Sequence, residues 1–198
     1  MRNPPGSYQL VALQKIQMTL QDAITLIKNK NIVSEKENTW ADLGCGSGLF
    51  TYALASFLNQ GSLIYAVDKN IASFKSLSSS KSLTIKPIEL DFEKSILPFS
   101  NLDGIIMANS LHFVKDKSIF LEKMKSYLKI NGCFLIVEYD TEFPNRWVPY
   151  PVSFLNLREL FSNAGFAPVI KLNEKPSLFN RANLYSAIII NQPVNERN

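Results

Sequence analysis

The sequence predicts an α/β fold built on a mostly parallel sheet. Strand-like and helix-like segments alternate along the chain, and most of the strands are continuously apolar, as in sheets buried on both faces. A glycine cluster follows the first predicted strand. The length of 198 residues suits one domain. We divide it into an arm and helix (1–35), a core (36–191) and a tail (192–198).

The composition is that of a globular protein, and it argues against several other classes. Hydrophobic residues make up 46% and charged residues 19%, with a net charge of +4. The lysines are scattered, so we expect no nucleic-acid partner. Two cysteines without metal spacing predict neither a disulfide framework nor a metal site. There is no signal peptide or membrane-length apolar run, so we expect a cytoplasmic protein that does not bind membranes.

The first half of the chain begins with an irregular arm over residues 1–7. Apolar residues at helical spacing then predict one amphipathic helix over 9–29. Strands are predicted over 39–43, 63–67 and 83–90, with helices over 49–58 and 71–77 between them.

The second half continues the alternation with strands over 104–108 and 133–137 and a helix over 118–128. A long loop with three prolines covers 139–152. The last helix, over 154–163, is closed by Gly165 as a C-cap. Strands over 169–172 and 184–190 are joined by a loop and not by a helix, so we expect them to pair antiparallel.

The sharpest local signal is the turn DLGCGSG over residues 42–48. Alternate glycines permit a tight turn with positive φ and let a ligand approach the backbone. The spacing is neither the dinucleotide fingerprint nor a phosphate loop, which disfavours an NAD-dependent oxidoreductase. A tight strand-to-helix connection remains an equal alternative. The candidate ligand-binding residues of this turn are Asp42, Gly44, Cys45, Gly46, Ser47 and Gly48.

Two carboxylates follow the next strands. Asp68 ends the second strand, where a carboxylate accepts hydrogen bonds from ribose hydroxyls. Asp91 ends the third strand and is followed by Phe92, a pairing suited to an adenine amino group and ring. The alternative for either carboxylate is the cap of a helix or turn. Aligned strand ends predict a ligand at the carboxyl edge of the sheet.

These segments together resemble the class I S-adenosylmethionine-dependent methyltransferases of the small-molecule type. The resemblance covers about residues 40–190 and rests on five segments: WADLGCGSG (40–48), AVDK (66–69), ELDF (89–92), LDGIIMANSLHF (102–113) and LFSNAGF (160–166). It implies a Rossmann-like seven-stranded sheet in the order 3-2-1-4-5-7-6, with strand 7 antiparallel, helices on both faces and an extra N-terminal helix.

The resemblance also implies S-adenosylmethionine as cofactor and S-adenosylhomocysteine as product. The glycines would contact its methionine part, with Asp42 near the amino group. Asp68 and its neighbour Lys69 would lie at the ribose and Asp91 with Phe92 at the adenine. Asn109 and Ser110 would lie beneath the methionine and the sulfonium.

The sequence indicates the residues that would bind the methyl acceptor less precisely than those that would bind the cofactor. His112, the only histidine, follows the fourth strand and is a candidate general base, although packing at the strand end is the favoured interpretation. Tyr139 follows the fifth strand. A proline-stiffened loop then carries further candidates, although packing of its aromatics on the core is an equal alternative. Tyr8 of the N-terminal segment is one more, with simple packing of that helix as the alternative. The loop candidates for substrate binding are Arg146, Trp147 and Tyr150.

The sequence therefore predicts methyl transfer to a small molecule by in-line displacement. The motif [DN]-P-P-[YF] of amino-methylating DNA and glutamine methyltransferases is replaced here by NSLH over 109–112. A protein acceptor, or a non-catalytic cofactor-binding protein on the same fold, remains an alternative. The acceptor, the methylated atom and the oligomeric state are left open.

Overall fold

A computed structural model describes residues 18–33, 35–75, 82–176 and 182–192. Its centre is one seven-stranded sheet in the order β3-β2-β1-β4-β5-β7-β6. Neighbouring strands pair in parallel from β3 to β5, and β7 pairs antiparallel with both β5 and β6. The predicted fold class and strand order are confirmed.

The strands are longer than predicted on the β5 to β7 side of the sheet. Their bounds are β1 Thr39–Leu43, β2 Leu63–Asp68, β3 Thr84–Glu89, β4 Leu102–Ala108, β5 Leu128–Tyr139, β6 Val169–Pro176 and β7 Asn183–Ile190. The helices are α1 Leu20–Ile27, α2 Leu49–Ala55, α3 Lys117–Lys125 and α4 Phe154–Asn163, and 3₁₀ turns cover Ile71–Ser73 and Leu111–Phe113. Within the described ranges, no helix has both the length and the apolar character needed to cross a membrane.

Helices bury both faces of the sheet, as continuously apolar strands require. On one face α3 and α4 pack against β4 and β5, with Phe120, Leu121, Leu157 and Phe161 fully or almost fully buried. On the other face α1 and α2 cover the same strands. Alternate residues of β4 and β5 point to opposite faces, so each strand contributes to both cores.

The predicted helix over 9–29 is wrong at residues 18 and 19, and residues 9–17 lie outside the described part of the chain. Thr19 is extended (φ −83°, ψ 162°) and caps α1, which begins at Leu20. The Thr19 hydroxyl accepts the Asp22 amide hydrogen bond, and the Asp22 carboxylate accepts the Thr19 amide. This capping box fixes the start of α1, because an N-cap residue has a non-helical backbone.

The predicted helix over 71–77 is also wrong where it is described, since only Ile71–Ser73 forms a 3₁₀ turn. Phe74 is extended (φ −66°, ψ 123°), and its ring stacks on Tyr52 of α2. The Lys75 amide donates to the Ser47 carbonyl. The chain returns to the glycine turn here instead of continuing as a helix, and the serines that follow are weak helix formers.

Trp40 of β1 and Gly104 of β4 are in close contact. A Cβ added to Gly104 of β4 would lie 2.4 Å from the indole ring of Trp40, which is almost fully buried on β1. The φ of Gly104 lies outside the left-handed region, so its backbone conformation does not require glycine. Glycine is required here because a side chain would collide with the Trp40 ring.

We expect Gly104→Ala to lower the free energy of unfolding by about 1–3 kcal/mol, the usual effect of overpacking a core. Urea denaturation monitored by far-UV circular dichroism measures it. Ser118→Ala on the exposed surface of α3 is the control and should stay within about 0.5 kcal/mol of the parent. Equal stability of both variants would contradict the steric argument.

Candidate functional site

A cleft of about 570 Å³ opens at the carboxyl ends of β1, β2 and β4 and beside the loop after β3. Parallel strands bring their carboxyl ends to one edge, where ligands bind in open α/β folds. Most of the predicted ligand-binding residues come together here. Those lining the cleft are Asp42, Gly44, Cys45, Gly46, Ser47, Asp68, Lys69, Asp91, Phe92, Asn109 and Ser110.

Backbone hydrogen bonds hold the glycine turn against β2. The amides of Gly44 and Cys45 both donate to the Val67 carbonyl, at 2.8 and 3.1 Å. The Gly46 amide donates to the Asp68 carboxylate at 2.9 Å. Gly46 has φ +52° and open space where a Cβ would lie. Its backbone is therefore bare toward the cleft, as a ligand in contact with the main chain needs.

Gly44 has a different reason to be glycine. Its φ is +86°, and an added Cβ would lie 2.4 Å from the Ser110 Cβ. The Ser110 hydroxyl donates to the Leu43 carbonyl at 2.6 Å. The loops that follow β1 and β4 are thus locked together at the floor of the cleft.

Gly48 does not line the cleft within the described residues. It has φ +90° and precedes α2, with an added Cβ 2.9 Å from the Phe74 ring and 3.2 Å from the Tyr52 ring. Gly48 therefore lies under aromatic side chains, and its role in this structure is the turn and its packing.

Asp42 and Asn109 provide two acceptor oxygens without donors. Asp42 is almost fully buried, and its Oδ2 accepts a hydrogen bond from the Thr51 hydroxyl at 2.5 Å. The Oδ1 of Asp42 and the Oδ1 of Asn109 are buried, and each lacks a hydrogen-bond partner. Buried acceptors normally have partners, so this end of the cleft suits a ligand that donates hydrogen bonds.

Burial also changes the charge state of Asp42. Desolvation raises the pKa of its carboxyl to about 7, and the nearby Asp68 carboxylate raises it further while the Thr51 hydrogen bond opposes the shift. Bringing a cationic donor to Oδ1 would favour the ionised form. This part of the cleft is therefore matched to an ammonium group.

Asp68 connects the glycine turn to the chain after β2. Its Oδ2 accepts the Gly46 amide, and its Oδ1 accepts the Asn70 amide at 3.0 Å. The 3₁₀ turn is capped by Asn70, whose side chain accepts the Ala72 amide. Asp68 is thus not the N-cap of that turn, and its carboxylate lines the cleft beside Lys69.

Asp91 does cap a turn, as one of its two interpretations predicted, while also lining the cleft. Its Oδ1 accepts the Glu93 amide at 3.1 Å and the Lys94 amide at 3.4 Å. Lys123 of α3 fixes the same loop, because its ammonium donates to the carbonyls of Ser95 (2.6 Å), Glu93 (3.3 Å) and Phe92 (3.4 Å). The loop after β3 is thus ordered by contacts of its own.

At the opposite wall, His112 lies behind the cleft. It is 3% exposed, and its Nδ1 lies 2.7 Å from Oε2 of Glu138, which is 1% exposed. His112 does not line the cleft, whereas Phe113 and Val114 do. The half-exposed Phe113 ring lies 4.3 Å from the imidazole, measured between ring centroids.

The predicted substrate-binding loop lies beside this wall. The Tyr150 amide donates to the His112 carbonyl at 3.0 Å. Arg146 and Trp147 are exposed and stack on each other, 5.6 Å apart, and neither lines the cleft. Tyr139 packs instead against the core under α1 and α2. Tyr8 lies outside the described residues.

Sequence reasoning missed several lining residues. Phe113 is the last residue of the segment 102–113 singled out above, which was the available signal, and Val114 follows that segment. The remaining lining residues that were not predicted are Leu49, Phe50, Glu93, Lys94 and Ala108.

The raised pKa of Asp42 makes stability depend on pH. Between its unfolded value of 3.8 and its folded value of about 7, only the folded state holds the proton. This contribution to stability is therefore present at low pH and is lost as pH rises toward 7. Relative to the parent, Asp42→Asn should gain about 2–3 kcal/mol between pH 5 and pH 8. Urea titrations of both proteins over this range test it, and a constant difference would contradict it.

Comparisons with known proteins agree with this geometry. A methyltransferase domain family matches residues 34–166. The chain is similar to the 1,6-didemethyltoxoflavin-N1-methyltransferase of Burkholderia thailandensis, solved with 1,6-didemethyltoxoflavin and S-adenosylhomocysteine (TM-score 0.65, 14% identity, covering 97% of this chain and 93% of that one). It is also similar to an Aquifex aeolicus SAM-dependent methyltransferase (TM-score 0.57, 16% identity, covering 88% of this chain and 100% of that one).

A third similar structure comes from the complex of the Haloferax volcanii Trm112 methyltransferase activator with a methyltransferase (TM-score 0.62, 17% identity, covering 95% of this chain and 94% of that one). The search of curated proteins gave no match. Since the family match spans most of the chain, it decides the assignment, and the structures support the fold. The resemblance found in the motifs is thereby confirmed, and the chain belongs to the methyltransferase domain family, as an enzyme that uses S-adenosylmethionine.

Proposed function

We propose that the cleft holds S-adenosylmethionine and that the enzyme transfers its methyl group to a small-molecule acceptor. The observation that carries the proposal is the pair of buried acceptor oxygens, on Asp42 and Asn109, that lack donors at the end of the cleft. An α-ammonium group would donate hydrogen bonds to both oxygens. Its positive charge would favour the ionised form of Asp42, whose pKa burial raises.

The other lining residues fit the rest of that molecule. The bare backbone at Gly46 suits the methionine chain, and the Asp68 carboxylate has lone pairs beyond its two amide contacts for ribose hydroxyls. The ordered loop with Asp91 and Phe92 suits the adenine. Asn109 has φ +54°, and its amide donates to the Val137 carbonyl, so the backbone that carries the side chain proposed for the methionine end is held in place.

The cofactor supplies a methyl group on a positively charged sulfur, and the protein binds and aligns it. The carboxylates of Asp68 and Asp91 around the cleft attract such a cation. The almost fully buried Cys45 beside them remains a thiol, because burial raises its pKa well above the usual range. It is thus not a competing nucleophile at neutral pH.

The acceptor is proposed to enter past Phe113, whose ring is 51% exposed at the cleft. The loop carrying Arg146, Trp147 and Tyr150 is tied to the same turn through the His112 carbonyl. A small acceptor is favoured because the similar Burkholderia thailandensis enzyme is solved with a small molecule. Tyr8 and Tyr139 remain further candidates from the sequence.

Calorimetric titration with S-adenosylmethionine, S-adenosylhomocysteine and NAD tests the proposal first. We expect micromolar dissociation constants for the first two ligands and no heat with NAD. Incubation with methyl-labelled cofactor and a metabolite mixture, followed by mass spectrometry, then identifies the acceptor. No binding of either sulfur compound would overturn the proposal.

Asp68→Ala should weaken S-adenosylhomocysteine binding by one or two charge-assisted hydrogen bonds, each worth about 1.5–3 kcal/mol, or about 10- to 150-fold per bond. Glu122→Ala, which removes an exposed carboxylate from α3, is the matched control. Asp68→Asn keeps an acceptor for the Gly46 amide and separates loss of charge from loss of the turn. An unchanged dissociation constant in Asp68→Ala would remove this residue from the site.

A further inference from the structure

The most unusual group outside the cleft is the buried pair of His112 and Glu138. Glu138, on β5, makes two hydrogen bonds with the same residue: the His112 backbone amide donates to Oε1 at 3.1 Å, and the ring Nδ1 lies 2.7 Å from Oε2. Both side chains are more than nine-tenths buried. Burying a carboxylate is costly unless its partners compensate for the lost water, so the presence of this pair needs another explanation.

The backbone hydrogen bond has a clear local cause. Leu111–Phe113 is a 3₁₀ turn, and its N-cap residue, Ser110, makes no side-chain cap bond. The Ser110 hydroxyl is already committed to the Leu43 carbonyl. Glu138 therefore takes over the capping role from the neighbouring strand, and it holds the turn whose Phe113 forms the wall of the cleft.

The ring hydrogen bond defines which nitrogen carries the proton. An ionised carboxylate only accepts hydrogen bonds, so a ring nitrogen 2.7 Å from it must be protonated. Burial lowers the pKa of Lys117, while its interaction with the Glu138 carboxylate opposes that shift. We infer that Glu138 is a positioning residue that fixes His112 as the Nδ1–H tautomer and leaves Nε2 with the lone pair.

The consequence for the cleft rests on the function proposed above. His112 does not line the cleft, so the fixed ring acts through its neighbour Phe113, which does and whose ring lies 4.3 Å from the imidazole. The Glu138 carboxylate keeps the ring from turning over to the other tautomer.

The chain's only histidine makes the test direct. Long-range proton–nitrogen NMR of ¹⁵N-histidine-labelled protein at pH 8 reports the protonation of each ring nitrogen without any acceptor. We expect a single species with Nδ1 protonated and Nε2 bare. An Nε2–H tautomer, or a doubly protonated ring at pH 8, would overturn the inference.

Glu138→Gln provides the second measurement. Its amide nitrogen donates, so the variant should shift the ring toward the Nε2–H tautomer, whereas Glu159→Gln on exposed α4 should leave the spectrum unchanged. A folded Glu138→Gln protein with an unaltered tautomer would show that Glu138 does not fix it. Titration of the parent with S-adenosylhomocysteine is read separately, so a failure to bind counts against the proposed function and not against the tautomer.

Discussion

The close approach of Gly44 and Ser110 is the constraint on which the site depends. The loops after β1 and β4 meet so tightly that no side chain fits between them, and the Ser110 hydroxyl then satisfies the Leu43 carbonyl. This contact closes the floor of the cleft beneath Asp42 and Asn109. It also removes Ser110 as a cap for the following turn, so the capping role passes to Glu138. The contact between Gly44 and Ser110 thus closes the floor of the cleft and leaves the capping role to Glu138, which is buried behind the wall.

Much of the fold could be predicted because the strands are buried on both faces. Such strands are apolar throughout, and α4 begins at a serine N-cap, so its predicted bounds match the structure. The amino-terminal half of β5 was missed because residues 128–132 are mostly exposed and include Lys129, Asn131 and Gly132, which carry no apolar pattern. The helix predicted after β2 failed because Phe74 and Lys75 return to the glycine turn, a tertiary contact that periodicity does not reveal.

The candidate site likewise contains residues whose position the sequence predicts and residues whose position depends on tertiary contacts. Residues at the carboxyl ends of β1, β2 and β4 could be predicted to converge, because the topology of a parallel sheet brings them to one edge. Whether a residue there faces the cleft depends on packing between distant segments. Gly48 faces Phe74 and Tyr52, His112 faces Glu138, and Phe113, the next residue, lines the wall. Neighbours in sequence thus differ in role because of partners some 26 residues away.

Lys123 gives the loop after β3 a property that bears on kinetics. Its ammonium holds three carbonyls of that loop, so Asp91 and Phe92 are in position before any ligand arrives. A preorganised loop adds no ordering step to association. Rearrangement of this loop should therefore not limit how fast spent cofactor is exchanged for fresh methyl donor.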